Sequence, residues 1–355
     1  MANLLKIANF NIMSDKHSDY FFWNELKTLE SDYDFNNKGK GNSMKARYLE
    51  IINVLNRINI NQDIDILTFQ EVTSNSIKNL KDYADVNNYI IFETEIKSNT
   101  RPIILVTMFS KKKFNDLMIN DLTPYYQTYY NKNAFNTSTQ KYYSGRAQIF
   151  RIKDLILVNV HAPGDPSNST QKNYYTGLTS FIRCKCVSNQ EVNCSNYNNV
   201  IFIGDFNVSD SKSIEEWSNT NKFQPKFILY QDVNKKNTSY HSGIMDGNGD
   251  WRPDPNLYQK VDHLMYTDNV TINNLKVYAS FNVEDNIDDK LIPYTRDPIL
   301  PAGKKKIKKL KSWNENYEVS KNGWPSDHTF NVYQISINET KTIKHKYIRY
   351  FIDYN

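Results

Sequence analysis

The sequence predicts an α/β fold, a sandwich built on mixed β-sheets. Short apolar runs typical of buried strands are spread along its 355 residues, and segments with apolar residues at helical spacing lie among them. The two kinds of segment do not alternate strictly, which disfavours a doubly wound sheet. Polar residues directly follow several of the predicted strands, where loops commonly build functional sites.

The strand predictions rest on runs of apolar residues, some of which alternate with polar ones. Residues 4–12 partly alternate and give the first strand, and the run from Ile64 to Phe69 gives a buried strand that ends in Gln70-Glu71. The further predicted strands are 89–92, 103–109, 145–152, 155–161, 200–203, 261–266, 275–280 and 329–337.

Helical spacing is clearest after residue 43. The apolar residues at this spacing are Met44, Tyr48, Ile51, Ile52, Leu55 and Ile58. Ser43 or Asn42 is the predicted N-cap of this helix, since short polar side chains satisfy the first free N–H groups. A second helix is predicted from Asn173 to Val187.

One domain is predicted for residues 1–337, because no internal repeat and no Gly/Ser-rich or Pro-rich linker divides the chain. Two insertions are predicted within it. The first, near residues 123–143, is rich in Tyr, Asn and Thr, and the second, near residues 282–317, contains the lysine-rich run Lys304–Lys311. Residues 338–355 are predicted to be a polar C-terminal tail.

The composition is that of a folded, mildly basic protein. Aromatic residues make up 14% of the chain, the formal net charge is +5 and the isoelectric point is 8.7, which is compatible with a polyanionic partner. The three cysteines fall within residues 184–194, an odd number that does not favour a disulfide framework. No signal peptide and no bilayer-spanning apolar run is found, so we expect an intracellular, soluble protein of the cytoplasm or nucleus.

Short polar motifs stand at the ends of the apolar strands. They are Asn9-Phe10-Asn11, Phe69-Gln70-Glu71, Asn159-Val160-His161-Ala162-Pro163, Gly204-Asp205-Phe206-Asn207, Val261-Asp262-His263 and Pro325-Ser326-Asp327-His328. Each motif alone is most often a turn, a cap or a loop. The functional signal is the complete set in this order.

In this order the motifs resemble those of the endonuclease/exonuclease/phosphatase (DNase-I-like) superfamily, and the resemblance spans Asn11 to His328. It implies a four-layer α/β sandwich in which two mixed β-sheets pack face to face with helices outside. It also implies a metal-dependent phosphoric ester hydrolase, a nuclease or another phosphodiesterase.

The predicted metal site uses oxygen ligands. Phosphodiester cleavage requires neutralisation of charge on the non-bridging oxygens, and Mg²⁺ or Mn²⁺ does this while taking carboxylate and amide ligands. Glu71 and Asp327 supply carboxylates and Asn11 supplies an amide. The resemblance makes Glu71 the principal ligand and Asn11 its neighbour.

The predicted catalytic residues surround the phosphate and the attacking water. Asp205 is expected to orient or deprotonate the water, and Asn207 to hold a phosphate oxygen or a metal. His161 and His328 are expected to contact the phosphate and stabilise the developing charge. Asp262 is expected to hold the imidazole of His328 in one tautomer.

Three further positions refine the prediction. Arg146 stands where many superfamily members place a phosphate-contacting arginine, and a surface arginine is the alternative. His263 is expected to face away from the site, because strand side chains alternate and Asp262 beside it points inward. Abasic-site endonucleases carry Asp where this chain has Met13 and Tyr where it has His161, which argues against that branch of the superfamily.

The predicted substrate is a nucleic-acid strand, and no obligate protein partner is inferred. Lys304–Lys311 could bind phosphates or an anionic membrane, or be a solvated loop. The tyrosine pairs after Thr123 could stack bases or pack over the rim of the cleft. The alternative enzyme is an inositol-phosphate phosphatase or a sphingomyelinase-like phospholipase, with a membrane or phospholipid as partner. A catalytically inactive binding module on the same fold is disfavoured, because every expected polar position is filled.

Overall fold

Two six-stranded mixed β-sheets stand at the centre of the computed structural model. The structure describes residues 3–12, 48, 51–56, 58–59, 62–96, 103–132, 145–164, 168–183, 199–208, 210–219, 226–231, 239–240, 244–245, 251–252, 258–259, 261–278, 326, 328 and 330–337. The strands are, in chain order, β1 (Asn3–Asn11), β2 (Ile66–Val72), β3 (Tyr89–Ile96), β4 (Ile103–Ser110), β5 (Ile119–Asp121), β6 (Ala147–Ile152), β7 (Leu155–His161), β8 (Asn199–Asp205), β9 (Phe227–Leu229), β10 (Ser239–Tyr240), β11 (Ile244–Met245), β12 (Trp251–Arg252), β13 (Tyr258–Gln259), β14 (Asp262–Thr267), β15 (Val270–Tyr278) and β16 (Phe330–Ile337).

Each large sheet contains one parallel pair of strands. The first sheet has the order β15-β16-β1-β2-β4-β3 and the second has the order β5-β6-β7-β8-β14-β9. The parallel pairs are β1–β2 and β7–β8, and the other neighbours in the two sheets are antiparallel. The short strands form two small ladders, β10–β13 and β11–β12.

Helices cover the outer faces of both sheets. They are α1 (Ile77–Val86), α2 (Thr123–Lys132), α3 (Asn168–Ile182) and α4 (Ser211–Ser218), with a 3₁₀ turn at Asp116–Met118. Residues 51–56 and 58–59 are also helical. No helix in the described part of the chain is both long enough and apolar enough to cross a membrane.

Three apolar clusters separate the layers. One joins α1 and the helical residues around Leu55 to the outer face of the first sheet, including Phe10. A second joins α2, α3 and α4 to the outer face of the second sheet, including Phe202. The third lies between the sheets, where Ile7 and Ile203 belong to one cluster. The order helix, sheet, sheet, helix confirms the predicted four-layer sandwich.

The structure differs from the prediction mainly in its helices. Helices α1, α2 and α4 were not predicted, and α3 begins at Asn168 and not at Asn173. The first turn of α3 lacks apolar periodicity because it consists of polar residues. Strand β15 begins at Val270 and not at Leu275, since an irregularity between Ile272 and Asn274 interrupts the alternation that would have marked its start.

The tyrosine pairs after Thr123 mostly belong to the core. Tyr126 and Tyr130 of α2 are fully buried, and Tyr129 packs against the same apolar cluster. Only Tyr125 of the four is exposed, at 48%. The rings of Tyr126 and Tyr130 therefore pack inside the helical layer and offer no face to a base. The rest of the predicted first insertion, the second insertion, the lysine-rich run and the tail lie outside the described residues.

The space between the sheets changes from apolar to polar along the strands. Side chains alternate on a strand, so β1 directs Leu5, Ile7, Asn9 and Asn11 to the same side. Leu5 and Ile7 lie in the apolar cluster between the sheets, whereas Asn9 and Asn11 are buried polar residues further along. The candidate site lies at this polar end.

Candidate active site

The ends of several strands bring the candidate residues together at one end of the sandwich. His161 at the end of β7 is paired with Asp205 at the end of β8, because these strands are parallel. Asp262 begins β14 and is also paired with Asp205, because β14 runs antiparallel to β8. Asn11 ends β1 beside β2 of the facing sheet, and His328 lies two residues before β16.

Asp205 lies at the centre of this group and is buried. Its Oδ2 accepts a hydrogen bond from Asn11 Nδ2 at 2.9 Å, and its Oδ1 accepts one from the backbone N–H of Asn207 at 2.8 Å. The Nε2 atoms of His161 and His328 lie 3.9 and 4.0 Å from Oδ2. Burial raises the pKa of Asp205 to about 7 against the opposing effect of His328. This carboxylate can therefore gain or lose a proton near neutral pH.

The residue before Asp205 explains why the motif begins with glycine. Gly204 has φ +144°, and a Cβ built on it would lie 2.0 Å from the carbonyl oxygen of Val160 on β7. No side chain fits there, so only glycine lets β8 run this close to β7 and deliver Asp205 beside His161.

Glu71 reaches the site through an irregularity in β2. The pairing of β2 with β4 shifts between Phe69 and Val72, and Glu71 has φ +57°. In a regular strand Gln70 and Glu71 would point to opposite faces, whereas here both side chains turn inward. Glu71 Oε1 accepts a hydrogen bond from Asn11 Nδ2 at 3.2 Å, so Asn11 donates to Glu71 and to Asp205.

His161 is buried and faces both carboxylates. Its Nε2 lies 3.6 Å from Glu71 Oε1 and 3.9 Å from Asp205 Oδ2. Burial, and after it the positive charge of Arg146, lowers the pKa of His161 to about 3. The imidazole is therefore neutral at physiological pH, the form that can donate a lone pair to a metal ion.

His328 is held by a carboxylate on its far side. Its Nδ1 lies 2.7 Å from Asp262 Oδ2, and Asp262 is buried. A carboxylate accepts a hydrogen bond from Nδ1–H, so Nε2 is the ring atom that remains directed at Asp205. Ser326 fixes the loop that carries His328: its Oγ donates to the carbonyl of Asn11 at 2.6 Å and accepts from the backbone N–H of His328 at 3.1 Å.

Asn207 is fixed in a left-handed backbone conformation beside the end of β7. Its φ is +50°, and its Nδ2 donates to the carbonyl of Ala162 at 2.8 Å. Gln171 of α3 donates to the carbonyls of Asn207 and Pro163 at 3.1 and 3.3 Å. Gln171, which is buried, thus holds the two loops that follow β7 and β8 against each other.

Arg146 lies behind His161. Its Nη1 donates to the carbonyls of Ala162 and His161 at 3.2 and 3.4 Å. The hydroxyl of Tyr174 donates to the backbone carbonyl of Arg146 at 2.8 Å. These contacts place its charge next to the site, and phosphate contact by Arg146 stays a prediction.

His263 lies on the opposite face of β14, as the alternation of side chains predicts. Its ring packs edge-on against Phe206, and its Nε2 lies 2.8 Å from the carbonyl oxygen of Val208. It therefore supports the loop after β8 from behind. Asp327, predicted as a metal ligand, lies outside the described residues.

A group of three ligand atoms could hold a metal ion. One atom each of Glu71, His161 and Asp205 lies within 4.8 Å of the others. Two carboxylates and a neutral imidazole suit a divalent cation. The residues present therefore fit a metal, and two of them, His161 and Asp205, were predicted as catalytic groups and not as ligands.

Comparison with solved structures identifies the fold. No family model matches the chain, and no curated protein matches it. An endonuclease/exonuclease/phosphatase from Bacteroides vulgatus superimposes with a TM-score of 0.53 at 14% identity, over 95% of this chain and 100% of that one. ANGEL2, described as a 2′,3′-cyclic phosphatase in complex with adenosine-2′,3′-vanadate, superimposes with a TM-score of 0.53 at 12% identity, over 95% and 96% of the two chains. The chain has the endonuclease/exonuclease/phosphatase fold, which confirms the fold that the motifs predict.

Proposed function

We propose that this chain, which has the endonuclease/exonuclease/phosphatase fold, is a metal-dependent phosphodiesterase that acts on nucleic acid. One observation carries the proposal. The buried carboxylate of Asp205 lies between two imidazoles, at 3.9 Å from His161 and 4.0 Å from His328, and Asp262 holds the second imidazole from behind.

Asp205 is the proposed base. In the metal-free protein, burial raises the pKa of Asp205 to about 7, and a raised pKa makes a carboxylate a stronger proton acceptor. The hydrogen bonds from Asn11 and from the backbone of Asn207 fix both of its oxygens. A water molecule that loses a proton to Asp205 would attack the phosphorus atom, and the bond between phosphorus and the leaving ester oxygen would break.

His328 is the proposed stabiliser of the phosphate. Because its Nδ1–H donates a hydrogen bond to Asp262, a second proton, on Nε2, would point into the cleft. That N–H could donate to a phosphoryl oxygen as its negative charge increases in the transition state. Asp262 would favour this protonated form by lying 2.7 Å from the opposite side of the ring.

Glu71 and His161 are the proposed protein ligands of the metal, with Asn11 and Asp327 as the ligands that the motifs add. The ion, Mg²⁺ or Mn²⁺, would supply charge neutralisation at the phosphate oxygens. Asn11 Nδ2 donates to Glu71 and to Asp205, so this amide aligns the proposed ligand with the proposed base.

A nucleic-acid substrate is supported by charge and by one comparison. The net charge of +5 and the lysine-rich run Lys304–Lys311 suit a polyanion. ANGEL2 is described with a vanadate compound of adenosine, which is a nucleoside. The tyrosine pairs of α2 give no support, since Tyr126 and Tyr130 are buried.

A substrate panel tests the proposal. The purified chain would be incubated in Mg²⁺ or Mn²⁺ with single- and double-stranded DNA and RNA, RNA ending in a 2′,3′-cyclic phosphate, a 5′-tyrosyl oligonucleotide, inositol phosphates and sphingomyelin. We expect turnover of at least one oligonucleotide and none of the last two substrates. Turnover confined to inositol phosphates or sphingomyelin would replace the nucleic-acid substrate with a small ester or a lipid.

A further inference from the structure

A chain of buried polar side chains runs through the layer between the two sheets. Its members are Asn9, Thr68, Gln70, Thr107, Gln148 and Asn159, each no more than 1% exposed. They come from strands of both sheets and lie between the apolar cluster and the candidate site. Buried amides destabilise a fold unless they are hydrogen-bonded, so a purely structural layer would be expected to stay apolar here, as it does at Ile7 and Ile203.

Backbone carbonyls fix the direction of every hydrogen bond in this chain of side chains. Asn159 Nδ2 donates to the carbonyls of Val106 and Phe69 at 3.0 and 3.3 Å. Its Oδ1 must therefore be the atom that accepts from Gln70 Nε2 at 2.7 Å. Gln70 Nε2 also donates to Asn9 Oδ1 at 2.8 Å. Thr68 Oγ1 lies 3.0 Å from the same oxygen and 3.0 Å from the carbonyl oxygen of Ala8, and it shares its one proton between them.

Asn9 connects this chain of hydrogen bonds to the candidate site. Since its Oδ1 accepts two hydrogen bonds, its Nδ2 is turned towards Asp262 and donates to Oδ1 at 3.2 Å. The other oxygen of Asp262 contacts His328 Nδ1 at 2.7 Å. The two oxygens of this carboxylate therefore have separate partners, an amide from the first sheet and the imidazole.

An unsatisfied atom in the same chain of hydrogen bonds indicates that the orientation of the Gln70 amide matters. Gln70 Oε1 is buried and has no hydrogen-bond partner among the residues that the structure describes, which is rare for a buried polar atom. The side chain tolerates it while its Nε2 donates to both Asn9 and Asn159. The Gln70 amide therefore has the orientation that holds Asn9.

We propose that Asn9 is a positioning residue for the Asp262–His328 pair, and that Gln70 and Thr68 hold its amide in the orientation that donates to Asp262. Asn9 touches neither substrate nor metal in this account, and it acts by fixing the rotamer of Asp262 and so the direction of the His328 ring. The effect on turnover rests on the proposed function, whereas the effect on the ring itself does not.

The test compares two near-isosteric substitutions in the same chain of bonds. Asn9→Asp keeps the volume and the contacts with Gln70 and Thr68, but it puts an oxygen where Asp262 now receives a hydrogen bond. Thr107→Val removes the hydroxyl that contacts Gln148 and Asn159 without touching Asp262. We expect Asn9→Asp to lower kcat by about 10–100-fold, as loss of outer supporting contacts does, with KM changed less than about twofold. Thr107→Val should leave kcat within about twofold of the wild type, although both variants melt at lower temperature.

A second readout does not require activity. In the metal-free wild-type protein, the proton shared by His328 Nδ1 and Asp262 should give a downfield NMR resonance that His328→Gln removes. Asn9→Asp should shift or abolish it and Thr107→Val should preserve it. If Asn9→Asp does not fold, Asn9→Ser, which is too short to reach Asp262, should show the same changes to a smaller degree.

Failure of the role of Asn9 and failure of the proposed function give different results. An unchanged resonance in the folded Asn9 variant, or equal losses of kcat in the Asn9 and Thr107 variants, overturns the role of Asn9. A wild-type protein that turns over none of the substrates, with the resonance still dependent on Asn9, overturns the proposed function and leaves the positioning of His328 by Asn9 in place.

Discussion

Asp205 and Asp262 face each other across the antiparallel strands β8 and β14, and both carboxylates are directed at the ring of His328. Asp262 contacts Nδ1 at 2.7 Å and Asp205 lies 4.0 Å from Nε2. The two carboxylates are chemically alike, but their surroundings give them different tasks. One is tied to the imidazole, and the other has a raised pKa and is available for a proton.

The Asp262–His328 pair is expected to act as a unit. Asp262→Asn would remove the negative charge and leave one acceptor oxygen for two donors, Asn9 Nδ2 and His328 Nδ1, and His328→Gln would remove the ring. Each should lower kcat by about a hundredfold or more, and the double variant should be little slower than the worse single variant because the two groups serve one function. Steady-state kinetics of the four proteins checks this, and losses that multiply in the double variant would show that the two residues act independently.

Burial of Asp205 predicts how the stability of the metal-free protein depends on pH. Its pKa is raised from 3.8 to about 7 on folding, so its contribution to stability is present below about pH 4 and is lost as the pH rises through 7. Asp205→Asn should remove that loss. The free energy of unfolding of this variant relative to the wild type should therefore increase between pH 4 and pH 8, by an amount on the order of 1–4 kcal/mol.

Urea unfolding of both proteins in excess chelator measures this difference. The lowered pKa of His161 works in the opposite direction, costing stability as the pH falls below about 6.5. Saturating Mg²⁺ should narrow the difference at pH 8 by binding the folded wild type. A difference that does not depend on pH would mean that Asp205 is not buried as a charge.

Much of the architecture can be predicted from the sequence, because apolar runs and the polar motifs that end them are local patterns. The strand Leu155–His161 has the predicted bounds, and the polar residues after β1, β7 and β8 follow from where those strands end. The resemblance assigns Glu71 to the site, but strand alternation could not predict that its side chain turns inward. That direction depends on a backbone irregularity in β2 and on a positive φ that the sequence does not signal.

The role of Asn9 was missed for a different reason. Its spacing of two from Asn11 predicts that both face the same side of β1, but only the fold shows that Asp262 lies opposite it. Helix α4 was missed because Asp210 and the polar residues after it match a solvated loop as well as they match a capped helix. Contacts between residues distant in sequence determine both the role of Asn9 and the formation of α4.

Glu71→Gln should mainly weaken the metal requirement. The substitution keeps the size of the side chain but removes the charge that attracts the ion, so the Mg²⁺ concentration for half-maximal activity should rise by at least the roughly 10–100-fold that loss of an outer-shell partner costs. Glu93→Gln is the matched control, since Glu93 lies on the surface in an ion pair with Lys81. Equal Mg²⁺ requirements in the two variants would exclude Glu71 as a ligand.

Gly204→Ala should destabilise the fold strongly. Its Cβ would lie 2.0 Å from the Val160 carbonyl oxygen, and φ is +144°, so we expect a loss of at least about 3 kcal/mol in the free energy of unfolding. Gly164→Ala is the control, because its Cβ would meet nothing closer than Asn207 Oδ1 at 3.5 Å. Thermal unfolding distinguishes them, and a Gly204→Ala protein as stable as the control would refute the close approach of β7 and β8.

In the proposed function, Asp205 accepts the proton of the attacking water in a metal-dependent phosphodiesterase. The most direct measurement is the hydrolysis rate of an oligonucleotide in Mg²⁺ by the wild type, Asp205→Asn and Asp210→Asn. The last variant makes the same change of charge five residues away on the surface, where Asn caps α4 as well as Asp does. We predict a loss of about a hundredfold or more for Asp205→Asn and a rate close to that of the wild type for Asp210→Asn, with no hydrolysis in excess chelator. Full turnover by Asp205→Asn, or by the wild type without metal, would contradict the account.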